Sequence, residues 1–216
     1  MKIIGLIEDG EGSDTLVTLY NILKSFFKVK IVVSFKKILK DTNCNTLDAY
    51  FSHLKSESVD LVILKLKSSE VFHKELEKIS FDFLLLADTK KFLNTQFIVA
   101  NHLIYNYDNC VKTDFIKEQR SIKYSYGLSY NADFFPSSIE ENYTCNKIML
   151  CINKSISTLS GKTLEAQEFL IKTNISVESK IYNILASLLC CLLLDVKLND
   201  LITQVELLLK EEKIHA

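Results

Sequence analysis

Apolar and polar positions alternate between two rhythms along the first hundred residues. Runs at 2 to 7 (KIIGLI), 29 to 34, 60 to 66 (DLVILKL), 82 to 87 (DFLLLA), 96 to 99 and 103 to 106 are short, apolar and rich in β-branched residues, and they predict buried strands. Segments at about 14 to 27 and 45 to 55 carry apolar residues at helical spacing instead. Strands that alternate with helices predict a mostly parallel sheet covered on both faces, because parallel neighbours need a crossover between them.

From about 121 the rhythm changes to IKYSYG, NADFF, KIMLCIN and LEAQEFLIKT, short strands separated by turns. This predicts a smaller antiparallel sheet, from about 121 to 172, beside the main one. Two helices, at about 177 to 194 and 198 to 211, close the chain. The expected fold is a three-layer α/β/α domain with a mainly parallel, P-loop-like sheet, its first strand central, plus the small antiparallel sheet. With 216 residues and no internal repeat or low-complexity linker, a single domain over 1–216 is expected, and Pro136 is read as marking a loop.

Charge narrows the partners. The 26 basic and 27 acidic side chains give a net charge of -1 without a sustained basic stripe, which argues against nucleic acid. The first residues read as a strand with Glu8 and Asp9 close behind, unlike the basic region, apolar run and small-residue cleavage site of an export signal, and the apolar run Ile184 to Leu194 is shorter than the roughly 20 residues that cross a bilayer. A cytoplasmic protein with no membrane partner is expected. The six cysteines lack a CxxC pair and the four histidines lack HxxxH spacing, so no metal site is expected. Cys190 and Cys191, inside an apolar helix, read as buried reduced thiols.

The candidate chemistry lies in DGEGSDT at 9 to 15, between the first strand and the first helix, which has the outline of a phosphate-binding loop. Gly5, Gly10 and Gly12 supply three of the chain's five glycines and predict a tight turn there. A working loop adds a lysine for the phosphates and a hydroxyl for magnesium, over main-chain amides at a helix N-terminus. Here Ser13 stands in the lysine position and Asp14 in the hydroxyl position. Glu8, Asp9, Glu11 and Asp14 put carboxylates where a triphosphate would bring more negative charge, and each close like-charge pair costs about 1 kcal/mol. Ser13 is the predicted N-cap, with Asp14 a favourable first-turn acid, so side chains can take the amides that a phosphate would otherwise hold.

The order of the later segments resembles the central domain of the Mur ligases, ATP-dependent amide ligases of peptidoglycan precursor synthesis, and of relatives such as folylpolyglutamate synthase. That family has a strand leading into GTNGKTT, a second strand carrying an acid before serines, and a third reading like FDVAVFTN. An N-x-D-D element, a YGL...AD segment and a helix opening HNxxN follow. The counterparts here are DGEGSDT, DLVILKLKSS, FDFLLLAD, NYDN at 106 to 109, YGLSYNAD at 126 to 133 and SKIYN at 179 to 183. Asn106, Asp108, Tyr126, Gly127, Asp133 and Asn183 match the pattern, and the resemblance puts Asn183 near the adenine. The family's loop lysine falls on Ser13, its magnesium-binding glutamate on Lys65, and its HN pair on Ser179 and Lys180. The stretch before NYDN is too short for the family's DHLD segment and carbamylated lysine. The chain is also expected to lack the family's N- and C-terminal modules.

A carboxylate that binds magnesium cannot be replaced by an ammonium, which has no lone pair and repels the ion. Lys65 is expected either to pair with a loop acid across the strand ends or to stand exposed at its strand end. The resemblance thus implies a catalytically inactive domain that serves as a binding or scaffolding protein, linked to cell-wall precursor metabolism, with a protein partner or a second copy of itself. No catalytic residue and no cofactor are expected. In the alternative reading Gly10, Gly12, Ser13, Thr15 and Asn183 form a vestigial nucleotide site that still takes ATP and magnesium, for regulation or for amide-ligase chemistry completed by another subunit. A third reading is an unrelated α/β module such as a receiver-like domain with the acid pair Glu8 and Asp9, which the long antiparallel tail does not suit.

Overall fold

The computed structural model of the protein describes residues 1–9, 14–33, 46–71, 73–88, 98–109, 114–142, 145–173 and 180–211. In chain order the elements are β1 (Lys2–Glu8), α1 (Asp14–Leu23), β2 (Val29–Val32), α2 (Leu47–Ser56), β3 (Leu61–Leu66), a 3-10 turn (Lys74–Lys78), β4 (Ser80–Asp88) and β5 (Val99–Asn106). They continue with α3 (Asp114–Glu118), β6 (Ile122–Tyr126), β7 (Phe134–Glu140), β8 (Asn146–Ile152), β9 (Ile156–Ser157), β10 (Thr163–Leu164), β11 (Gln167–Thr173), α4 (Ile181–Leu193) and α5 (Leu198–Glu211).

Nine of these strands form one sheet in the order β11-β8-β7-β6-β5-β4-β1-β3-β2. Every neighbouring pair from β2 to β7 is parallel, and β7–β8 and β8–β11 are antiparallel. The α/β fold is the expected one, mostly parallel, with β1 between β3 and β4. A small antiparallel sheet is present as expected, but it is only the short β9–β10 pair and not the whole of 121 to 172, since β8 and β11 extend the main sheet. The hairpin after β7 explains it. Because β7 already sits beside β6, a strand that folds back on β7 must take the open edge of the same sheet.

Three local expectations are corrected. The run at 103 to 106 belongs to a longer strand, β5, that already starts at Val99, because alternation turns Asn101 outward and His102 inward, where its ring lies between Phe83 at 5.3 Å and Tyr124 at 6.0 Å; residues 96 and 97 of the preceding run lie outside the described residues. Pro136 sits within β7, beside a bulge between Pro136 and Ser138, where a missing N–H is tolerated. Gly5 is not part of a turn. It pairs with Leu84 in mid-strand, and a Cβ there would lie 2.9 Å from both Leu84 Cδ1 and Phe81 Cε1.

The two faces of the sheet bury two apolar clusters. Ile4, Leu6, Ile63, Leu85 and Ile104 meet α1, α4 and α5 on one face, and Ile7, Leu64, Leu84 and Leu103 meet α2 and the 3-10 turn on the other. Helix α4 is the centre of the first layer. All of its residues are buried except Tyr182 and Asn183 in its first turn, as expected of a helix that is apolar all round. It ends at Leu193, and just beyond its cap Asp195 has a positive φ of 67° and an Oδ1 that accepts the hydroxyls of Thr158 and Ser160. Cys190 and Cys191 are fully buried free thiols, and burial pushes Cys190 up to about 12. Both stay protonated and unreactive at neutral pH.

His102 is 5% exposed and neither ring nitrogen makes a well-aligned hydrogen bond. Burial holds its pKa below 6.5, and the main chain and charge of Asp82 oppose this only in part. A histidine with a depressed folded pKa favours the native state fully above its unfolded pKa, and that contribution is lost as the pH falls below about 6.5. Chemical denaturation between pH 7.5 and 5 is therefore expected to show stability falling with acid. In His102→Phe this component should disappear, leaving a flatter profile.

Candidate functional site

The carboxyl ends of β1, β3, β5 and β6 meet the N-termini of α1 and α4, the place where open α/β sheets put their ligands. Alternation sets Glu8 on the same face as Ile4 and Leu6, and Lys65 on the same face as Leu61 and Ile63, both beneath α1 and α4. Lys65 Nζ lies 3.3 Å from Glu8 Oε2, with the side chains 9% and 3% exposed. The contact is an ion pair without hydrogen-bond alignment. The other carboxylate oxygen, Oε1, accepts the amide of Thr15 at 3.2 Å, in the first turn of α1. One carboxylate thus holds the cation on the neighbouring strand and an amide of the helix terminus.

The neighbouring acid is equally committed. Asp9 accepts the amide of Ser68 at 2.8 Å and its hydroxyl at 2.5 Å, clamping the turn after β3 to the end of β1. Thr15 is buried, and its hydroxyl donates to Asn183 Oδ1 at 2.8 Å, joining the starts of α1 and α4.

A second cluster lies at the ends of β5 and β6. Asn106 Oδ1 accepts the amide of Asp108 at 2.9 Å and so shapes the turn that follows β5. Asp108 accepts the amides of Leu128 at 2.5 Å and Ser129 at 3.3 Å, and the hydroxyl of Tyr182 at 3.1 Å. Gly127 permits this approach, since a Cβ there would stand 2.7 Å from Asp108 Oδ2. Asp133 accepts the amide and hydroxyl of Ser125 at 2.8 and 3.0 Å and pairs with Lys154 Nζ at 2.8 Å. Tyr126 donates its hydroxyl to the Leu86 carbonyl at 3.3 Å. Burial raises the pKa of Tyr182, and the charge of Asp108 adds to the effect, so the phenol remains a donor.

Of the residues singled out in the sequence, Thr15 and Asn183 are therefore in contact, and Lys65 is buried against Glu8 rather than exposed. Gly10, Glu11, Gly12, Ser13 and Ser179 lie outside the described residues. The amide of Thr15 donates to Glu8, seven residues back, a partner that sequence reasoning did not name, and Asp14 is exposed; the expected cap Ser13 is not among the described residues. The roles of Ser68 and Tyr182 were missed, and no local pattern announces either, because their partners lie 59 and 74 positions away. Among the described residues no three His, Cys, Asp or Glu side chains gather as a metal site, and no helix is long and apolar enough to cross a membrane.

Strand ends and helix starts that converge in this way define a P-loop-like α/β fold. Solved structures identify it more closely as the fold of the Mur ligases. In the UDP-N-acetylmuramoyl-L-alanyl-D-glutamate–2,6-diaminopimelate ligase, 94% of this chain matches 45% of that one with a TM-score of 0.62 and 13% identity. MurF ligase from Thermotoga maritima, in complex with ADP, matches over 93% of this chain and 48% of its own, with a TM-score of 0.54 and 18% identity. A complex named FPGS-AMPPCP-folate matches over 97% and 62%, with a TM-score of 0.53 and 7% identity. The chain spans less than half the length of these Mur ligases. No protein-family model matches the sequence, and no curated protein matches it.

Removing one member of a buried ion pair leaves the other charged and uncompensated, at a cost of about 3 kcal/mol or more. Lys65→Met is therefore expected to lower the unfolding free energy by about 3 kcal/mol in urea titration. Glu8→Gln in the same chain should recover most of the loss, because the neutral amide can still accept from Thr15 without needing a cation. A loss unchanged in the double variant would show that Lys65 acts through packing alone.

Proposed function

We propose that the chain is a catalytically inactive domain of the Mur-ligase type that works as a binding or scaffolding protein, in connection with cell-wall precursor metabolism. The observation that carries this reading is the buried Lys65–Glu8 pair, at the strand end where the resemblance puts a magnesium-binding glutamate. An ammonium there supplies no lone pair and repels a divalent cation. The fit of a magnesium nucleotide to the described residues is poor on a second count. The amide of Thr15, at the helix start where a phosphate would sit, already donates to the carboxylate of Glu8.

The surviving motif residues support the same view. Asn106, Asp108, Gly127 and Asp133 fix the turns at the strand ends through main-chain amides, hydroxyls and close approach. These are roles that a scaffold retains without chemistry. In this reading the domain lies in the cytoplasm and acts through a protein partner or a second copy.

A retained nucleotide site is the second reading. The contact between Thr15 and Asn183 favours it, since it brings two residues of the resemblance together at the starts of α1 and α4. It also draws on the nucleotides named with two of the similar structures, ADP and AMPPCP. Thermal unfolding decides between the two readings. Millimolar ATP with magnesium is expected to leave the melting temperature unchanged, because a ligand that does not bind the native state cannot stabilise it. A saturable rise that Asn183→Ala abolishes would overturn the inactive reading and establish nucleotide binding.

A further inference from the structure

Among the described residues no strand pairs with the outer edge of β11, and the sequence of that edge complements itself. The amide of Lys172 donates to Glu206 Oε1 on α5 at 2.9 Å and not to β8, so it points away from the sheet. Along an antiparallel strand the direction of the main-chain groups alternates, and the amides of Leu170 and Glu168 therefore point outward as well. The side chains follow the same period. Phe169, Ile171 and Thr173 are buried, whereas Glu168 and Lys172 are exposed and Leu170 is half-buried on the opposite face.

A second β11 laid antiparallel on this edge, with the two-fold axis at Leu170, sets Leu170 opposite Leu170 and Glu168 opposite Lys172 at both ends. The hydrogen-bond phase agrees with the charge pattern. Residues that face one another in this register are those whose amides and carbonyls point outward, so all three pairs can exchange main-chain hydrogen bonds. Sliding the axis onto Glu168 or Lys172 would set like charges opposite each other, which destabilises cross-strand pairing. An edge that exists only to repel other strands has no need of opposite charges spaced evenly about a central leucine.

We propose that the chain forms a two-fold dimer by antiparallel pairing of β11 with the β11 of a second copy, joining two nine-stranded sheets into one. The occupant of the edge is another copy of this chain because the edge is complementary in charge to itself. Glu206 covers Lys172 N–H in the single chain and gives it up to the carbonyl of Glu168 in the second copy. Residues of the candidate nucleotide site take no part, so this inference holds whether or not that site binds a nucleotide.

Sedimentation equilibrium of the full chain from about 1 to 200 μM tests it by mass action. The expected result is a reversible dimer whose dissociation constant rises about tenfold or more in Lys172→Glu, where both end pairs become like-charged. The doubly reversed Glu168→Lys, Lys172→Glu chain restores complementarity and is expected to dimerise like the original. Circular dichroism of each variant checks that the fold is kept, as substitution of two exposed side chains should allow. A chain that stays monomeric throughout, a dimer unmoved by Lys172→Glu, or a double variant no better than the single one would each overturn the proposal.

Discussion

The buried carboxylate of Glu8 is the constraint around which the site is arranged. A charge this far from water is tolerable only when its oxygens are both occupied, here by the Lys65 ammonium and the Thr15 amide. Those two partners come from β3 and α1, so a single side chain fixes the neighbouring strand and the entry of the crossover helix relative to β1. Thr15 then passes the constraint on through its hydroxyl to Asn183, which seats the start of α4. The ends of β1 and β3 and the starts of α1 and α4 are thus linked through the chain's own side chains.

This arrangement separates geometry from chemistry. Asn106, Asp108, Gly127 and Asp133 hold the ends of β5 and β6 in shape through short contacts to main-chain amides and neighbouring side chains. A fold can therefore keep its turns under selection for stability alone, whether or not a ligand binds beside them. At identities of 18% or less to the three structures compared above, the fold is shared where few residues are.

How much was legible in the sequence follows from the range of each interaction. The parallel strands announced themselves through local runs, since a strand buried on both faces is apolar throughout, and the Lys65–Glu8 pair could be foreseen because both residues end adjacent strands. The single strand β5 was hidden by His102, a polar residue buried by aromatic stacking rather than by hydrogen bonds. Joining of β8 and β11 to the main sheet was hidden as well, because short strands have the same alternation whichever sheet they enter. Gly5 looked like part of a turn signal, yet its cause is the crowding of Phe81 and Leu84, which are distant in sequence. The links from Asp108 to Tyr182 and from Thr15 to Asn183 span 74 and 168 positions, beyond any local pattern.

The late position of α4 also has a consequence for synthesis. Apolar side chains of β1, β3, β4 and β5 on one face of the sheet wait for a helix that begins at Ile181. A nascent chain growing from its N-terminus can assemble the α2 side of the sheet early, but it carries the other face only partly covered, by α1, until most of its length has been translated. Contacts this distant in sequence are also slow to close. The interval before α4 arrives is when the protein has most to gain from a chaperone that shields an apolar sheet, and a chain interrupted before Ile181 would keep that surface exposed.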